Sequence, residues 1–154
     1  MSDRIRDWQA DFAVFNEHGE LAVVAEAKKK ANVDARWAKA WFRNYLAHES
    51  TTAPPFVLLA TPEKLFLWKR GPERALEPIE VADARRLFSA YLDRSNLGPA
   101  DVSGRTFEFI VGAWLNDLSH HLWQPSAPDE VTAFLDTGLI KAVENGRVVA
   151  DIAA

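Results

Sequence analysis

The stretch ELAVVAEAK at residues 20–28 leaves this chain few ways to fold. It is apolar on both faces of a strand until Glu26, and such a strand belongs in the middle of a sheet covered on both sides. The turn signal Asn16-Glu17-His18-Gly19 stands before it, so residues 11–15 read as its hairpin partner. Asn32 and Asp34 are helix-start residues. Residues 34–48 then carry Trp37, Trp41 and Tyr45 at four-residue spacing, a stripe expected to face the core. Residues 56–60 and 64–69 read as two further strands around Thr61-Pro62-Glu63.

The second half is more broken. Residues 81–92 and 105–122 read as helices, separated by a linker with Gly98, Pro99 and Gly104. Trp114, Leu115, Leu118 and Leu122 form a packing stripe on the second, for the core or a dimer. After QPSAPDE, residues 129–137 read as a short helix, and 139–143 with 147–152 as a hairpin around Asn145-Gly146. The expectation is an α+β fold: a mixed sheet flanked by helices, with a C-terminal helical and hairpin appendage. Residues 1–95 would form the α/β core and 96–154 an extension packed on the same domain.

Composition narrows the function. At 154 residues, 48% of them apolar, the chain can build an ordinary core without covalent staples. It has no cysteine, which excludes disulfides, a thiolate nucleophile and Cys-based metal sites. Apolar runs are too short to cross a bilayer, and the start, MSDRIRDWQAD, is charged where a signal peptide would be apolar. A cytoplasmic protein without membrane contact is expected. The net charge of −4 argues against coating nucleic acid by charge alone, though a local basic site remains compatible with it. No P-loop, dinucleotide fingerprint or GxSxG elbow occurs. Asp117, Ser119 and His120 share one helix and do not make a triad. His120 and His121 point about 100° apart on a helix and are not expected to share a metal. His18 and His48 fall at a turn and a helix end. Most of the six tryptophans are expected in the core, with some reserved for a partner surface.

One constellation carries chemistry. Glu26 and Lys28 are two apart on a strand and leave it on one face. With a two-residue hairpin loop Asp11 falls opposite Glu26, and with a four-residue loop opposite Val24. Either register puts Asp11 on that same face because both loop lengths are even, and an odd loop would need a bulge to do so. Two carboxylates can share a hard divalent cation such as Mg²⁺ or Mn²⁺, which acidifies a bound water and stabilises phosphoryl charge. A neighbouring lysine orients the water and offsets developing negative charge. The plainer alternative is a solvated Glu–Lys pair worth roughly 0–1 kcal/mol. Burial of Glu26 at the end of LAVVA and the placing of Asp11 at the start of an apolar strand weigh against it. Lys28, Lys29 and Lys30, with Arg36, Lys39 and Arg43 on one helix face, form a basic concentration beside the site, suited to phosphates or simply to solvent.

Asp11 followed by Glu26-Ala27-Lys28 resembles the core of the PD-(D/E)xK nuclease superfamily, with Ala10-Asp11 in place of Pro-Asp. The following helix and FVLLATPEKLFLW resemble the nuclease domain of type I restriction enzymes; the likeness covers roughly residues 7–70. The resemblance implies a restriction-endonuclease-like sheet and Mg²⁺-dependent hydrolysis of DNA. It makes Asp11 and Glu26 metal ligands, the Ala27 carbonyl a third ligand and Lys28 the catalytic lysine. Lys29, Lys30, Arg36, Lys39 and Arg43 are candidates for the nucleic acid from their place beside that site, not from the resemblance. In two places the chain departs from the pattern. With ten residues ahead of Asp11, the family's preceding helix is expected to be absent or reduced. Trp41 stands where a glutamine precedes the helix tyrosine. The competing expectation is therefore an inactive nuclease-fold binding or regulatory module that acts through a protein partner. A homo-oligomer or partner subunit that completes the site is a third.

Overall fold

The computed structural model describes residues 10–49, 53–71, 75–94, 102–125 and 128–150. Six strands form one open mixed sheet: β1 (Phe12–Phe15), β2 (Leu21–Ala27), β3 (Phe56–Ala60), β4 (Lys64–Lys69), β5 (Glu80–Asp83) and β6 (Arg147–Ala150), in the order β5-β4-β3-β2-β1-β6. Only β2 and β3 run parallel. The helix between them, α1 (Ala35–Ala47), supplies the long crossover that a parallel pair requires. Its first turn is capped by Asp34, whose carboxylate accepts the Trp37 N–H at 2.9 Å. The fold class read from the sequence therefore holds. The sheet is mixed, helices flank it, and a helix–turn–strand segment closes the described chain.

The two-sided apolar strands have the expected reason. Val24, Val57, Leu59, Phe66 and Trp68 face one way and pack beneath Ala38, Phe42 and Tyr45 of α1. Val23, Ala25, Leu58, Ala60, Leu65 and Leu67 face the other way. There they meet α2 (Ala84–Arg94), α3 (Gly104–Ser119), α4 (Pro128–Thr137) and α5 (Leu139–Val143). Trp114 and Phe134 share that second layer with Phe12 and Val14 of β1, so the C-terminal helices and the sheet have a common core. α3 lies close on β1 because residue 112 is glycine: a Cβ there would stand 2.8 Å from the Phe12 ring.

Two expectations for the second half are corrected. Residues 80–83 extend the sheet as β5 instead of opening a helix at Val81, because β4 has a free edge for them to pair with. The helix then starts at Ala84, with Asp83 accepting the Arg85 N–H at 3.0 Å. Residues 139–143 are helical, so they form no hairpin arm; β6 pairs with β1 instead. Asn145 takes the left-handed conformation (φ 56°) that ends α5, and a Cβ on Gly146 would stand 2.3 Å from the Phe15 carbonyl oxygen. Of the pair only Asn145 uses the φ > 0 conformation, here to end a helix, while Gly146 is required by the close approach of the Phe15 carbonyl. α3 likewise stops at Ser119, before Leu122, which is exposed.

Candidate active site

The β1–β2 hairpin sets the site. Phe12 pairs with Ala25, so continuing that register places Asp11 beside Glu26. The loop between Phe15 and Leu21 holds five residues, an odd number, and a bulge at Val14/Phe15 restores the parity. Asn16 shapes the loop: its side-chain oxygen accepts the N–H groups of His18 and Glu20, both at 2.9 Å. Gly19 supplies the positive φ of 80°.

Asp11 then does something that spacing does not foretell. Its Oδ2 accepts the Ala27 N–H at 2.8 Å, tying the start of β1 to the end of β2. On the same face Lys28 Nζ lies 3.3 Å from Glu26 Oε2. The Glu26 side chain keeps only 14% of its exposure, against 45% for Lys28. Burial is the larger influence on Glu26 and the Asp11 carboxylate adds to it. Lys28 opposes both, and the carboxyl is pushed up to about 7. An ammonium that is nearly half in water is a weak counterweight. The titration of Glu26 is thus raised toward the neutral range, with Asp11 as hydrogen-bond partner.

The three side chains sit at the carboxyl end of β2, beside parallel β3, where Glu26 pairs with Leu59 and Ala27 with Ala60. Open sheets bind ligands at such strand ends. The Lys28 N–H donates to the Ala60 carbonyl at 2.9 Å, and the Asn32 N–H donates to Glu63 at 2.8 Å, which holds the loop into α1 against the β3–β4 turn. Among the described residues no cluster of three or more acidic or histidine side chains suited to a metal occurs; the donor set here is two carboxylates. Ala27 is buried at the strand end, with its methyl in the opposite layer.

Lys29, Lys30, Arg36 and Arg43 are exposed around this end of the sheet and along α1. Lys39 is partly neutralised by Glu77, 2.8 Å away. Lys30 lies 5.6 Å from the centre of the half-buried Trp37 ring, a pairing the helix stripe did not signal. Trp41 is half-buried as well, stacked on Tyr45 at 5.8 Å. Tyr45 lies far from Glu26, in a buried group with the ion-paired Glu49 and Arg70 near the start of β3. His48 and His120 stand at the C-caps of α1 and α3, and His121 lies 3.2 Å from Glu144. Ser119 Oγ donates to the Leu115 carbonyl at 3.0 Å, and Asp117 accepts from the Tyr91 hydroxyl. No helix among the described residues is long and apolar enough to cross a membrane. Residues 1–9, where a helix before the Asp strand would fall, lie outside the described residues.

A pH test follows from Glu26. Its folded-state value of about 7 exceeds its ordinary 4.5, so the contribution is fully present below pH 4.5 and is lost as pH rises through 7. Glu26→Gln removes the charge at constant size. In chelator, the variant should be more stable than the parent at pH 8.5 by on the order of 1–3 kcal/mol, with the gap closing near pH 5. Denaturant melts at both pH values check this. Parallel curves would show that burial and Asp11 do not hold Glu26 as described.

Compared with protein-family models, with curated proteins and with solved structures, the chain matches none. The resemblance to PD-(D/E)xK nucleases therefore rests on Asp11, Glu26, Ala27 and Lys28 and on the order of hairpin, helix and strands that carries them.

Proposed function

We propose that this protein is a divalent-metal-dependent nuclease that hydrolyses phosphodiester bonds in DNA, with Asp11 and Glu26 as ligands of Mg²⁺ or Mn²⁺ and Lys28 as the catalytic lysine. The observation that carries the reading is Glu26, a buried carboxyl at the end of β2 raised to about 7, with Asp11 and Lys28 on its face. Two carboxylates held together at this cost fit a hard cation, which favours oxygen ligands and relieves their repulsion. The Asp11 hydrogen bond to Ala27 orients that carboxylate beside Glu26. The Ala27 carbonyl at the strand end is the third donor in this reading. When bound, the cation supplies an acidified water and stabilises phosphoryl charge. Lys28, the most exposed of the three, meets a phosphate oxygen and offsets the charge that develops there. Lys29, Lys30, Arg36 and Arg43 give the strand a local basic surface on a chain whose net charge is −4. This reading places the protein in the cytoplasm, and a second copy or a partner subunit would add ligands to the two carboxylates.

One observation favours a binding module instead. The Asp11–Ala27 and Glu26–Lys28 contacts already satisfy one another, as an ion network kept only for structure would. Mn²⁺ titration calorimetry separates the two. The nuclease reading expects one site at pH 7, proton release on binding because Glu26 holds its proton toward neutral pH, and at least about tenfold weaker binding in Asp11→Asn and Glu26→Gln. Absence of binding would favour the module.

A further inference from the structure

On the far side of the sheet from Glu26, α2 and α3 enclose a cleft of about 550 Å³, within the size range of small-molecule sites. Its lining does not resemble a gap between core helices. Tyr91 Oη donates to Asp117 at 2.5 Å on the floor, and the Arg94 guanidinium stacks over the Tyr91 ring at 4.7 Å. Arg105, Thr106 and Phe109 line it nearer the start of α3. Arg105 has no carboxylate partner among the described residues, and Phe109 is 78% exposed. From residue 105 to residue 117 the helix rises about 18 Å. In order along that length come a cation, a hydroxyl, an aromatic face and a carboxylate.

We propose that this cleft is a binding site for a nucleoside phosphate, separate from the site at Glu26. Each part of such a ligand has a matching group. Arg105 and Thr106 take the phosphate, which a guanidinium binds through parallel N–H donors. The base lies on the exposed face of Phe109, as bases do on aromatic side chains. The Asp117 carboxylate is acceptor-only when ionised and meets the N–H edge of the base. Arg94, of whose five donors the Tyr91 contact occupies few, adds the second positive charge that a polyphosphate needs. A free aliphatic anion would leave Phe109 in water, and an apolar peptide would leave two guanidinium groups unused. Because the cleft and the Glu26 site lie on opposite layers of the sheet, the proposal does not depend on the nuclease reading.

The test is calorimetry on the whole chain in chelator, with adenosine and guanosine mono- and triphosphates, the free nucleosides and inorganic phosphate. Saturable binding of a nucleotide is expected, tighter than that of its nucleoside or of phosphate. Arg105→Ala and Phe109→Ala, both at exposed positions, should each weaken it by about tenfold or more. The proposal is overturned if no nucleotide binds, if phosphate alone binds as tightly, or if neither cleft variant weakens binding.

Discussion

Lys28→Ala is expected to lower the rate of DNA cleavage by about 10²–10³-fold, the usual loss when one preorganised charge at a reacting centre is removed. The side chain has no large structural duty: it is 45% exposed, and its one ion pair, to Glu26, is an opposed influence on that group. Its backbone N–H, which holds the ladder to Ala60, survives the substitution. Folding and Mn²⁺ binding should therefore persist, provided the titration is run near pH 8.5. At neutral pH the loss of Lys28 would leave Glu26 still more protonated and disguise a charge effect as a metal effect. Single-turnover cleavage at saturating metal checks the point. A variant that cuts at the parental rate would remove Lys28 from the chemistry.

Trp114→Ala should be the most damaging substitution to stability, by about 3–5 kcal/mol. The side chain is fully buried in α3. Its ring centre lies 5.9 Å from Phe88 of α2, 6.1 Å from Trp123 and 5.6 Å from Phe134 of α4, so one ring joins three segments. Against a total stability of about 5–15 kcal/mol, such a loss is between about a fifth and all of it. The thermal midpoint should fall by roughly 10 °C or more. Trp114→Phe should cost much less. It keeps the aromatic packing and removes an indole N–H that has no hydrogen-bond partner among the described residues. Urea melts of the two variants give the comparison. A loss below about 1 kcal/mol for Ala would mean that the ring is not the keystone its contacts describe.

The first half of the fold was legible because its signals are local or periodic. The ELAVVAEAK pattern, the Asp34 cap and the runs at 56–60 and 64–69 each specify their own element, and those elements appear within a residue or so of the expected bounds. Residues 80–83 were not legible as a strand, because they become one only by pairing with β4. Residues 147–150 form the strand that was expected of 147–152, whose last two residues lie outside the described ones, but its partner is β1, far away in sequence, and not 139–143. LIKAV at 139–143 is a short apolar run that periodicity cannot assign, and Asn145-Gly146 tipped it toward a hairpin although the same dipeptide ends a helix. The candidate site was legible through parity. A side-chain period of two puts Asp11 on the face of Glu26 and Lys28 for an even loop; the loop has five residues, and the bulge at Val14/Phe15, which the sequence did not signal, restores that placement. Hidden from the sequence were the Asp11–Ala27 hydrogen bond, the depth at which Glu26 sits, and the contacts of Lys39 with Glu77 and of Lys30 with Trp37. All of these depend on three-dimensional packing between segments.

The most direct measurement is cleavage of single- and double-stranded DNA by the purified protein in Mg²⁺, in Mn²⁺ and in chelator, with Glu26→Ala beside it. The account predicts cutting in one or both metals, none in chelator and none by the variant. Cutting that survives chelation or the variant, or no cutting of either DNA form in either metal, would contradict it.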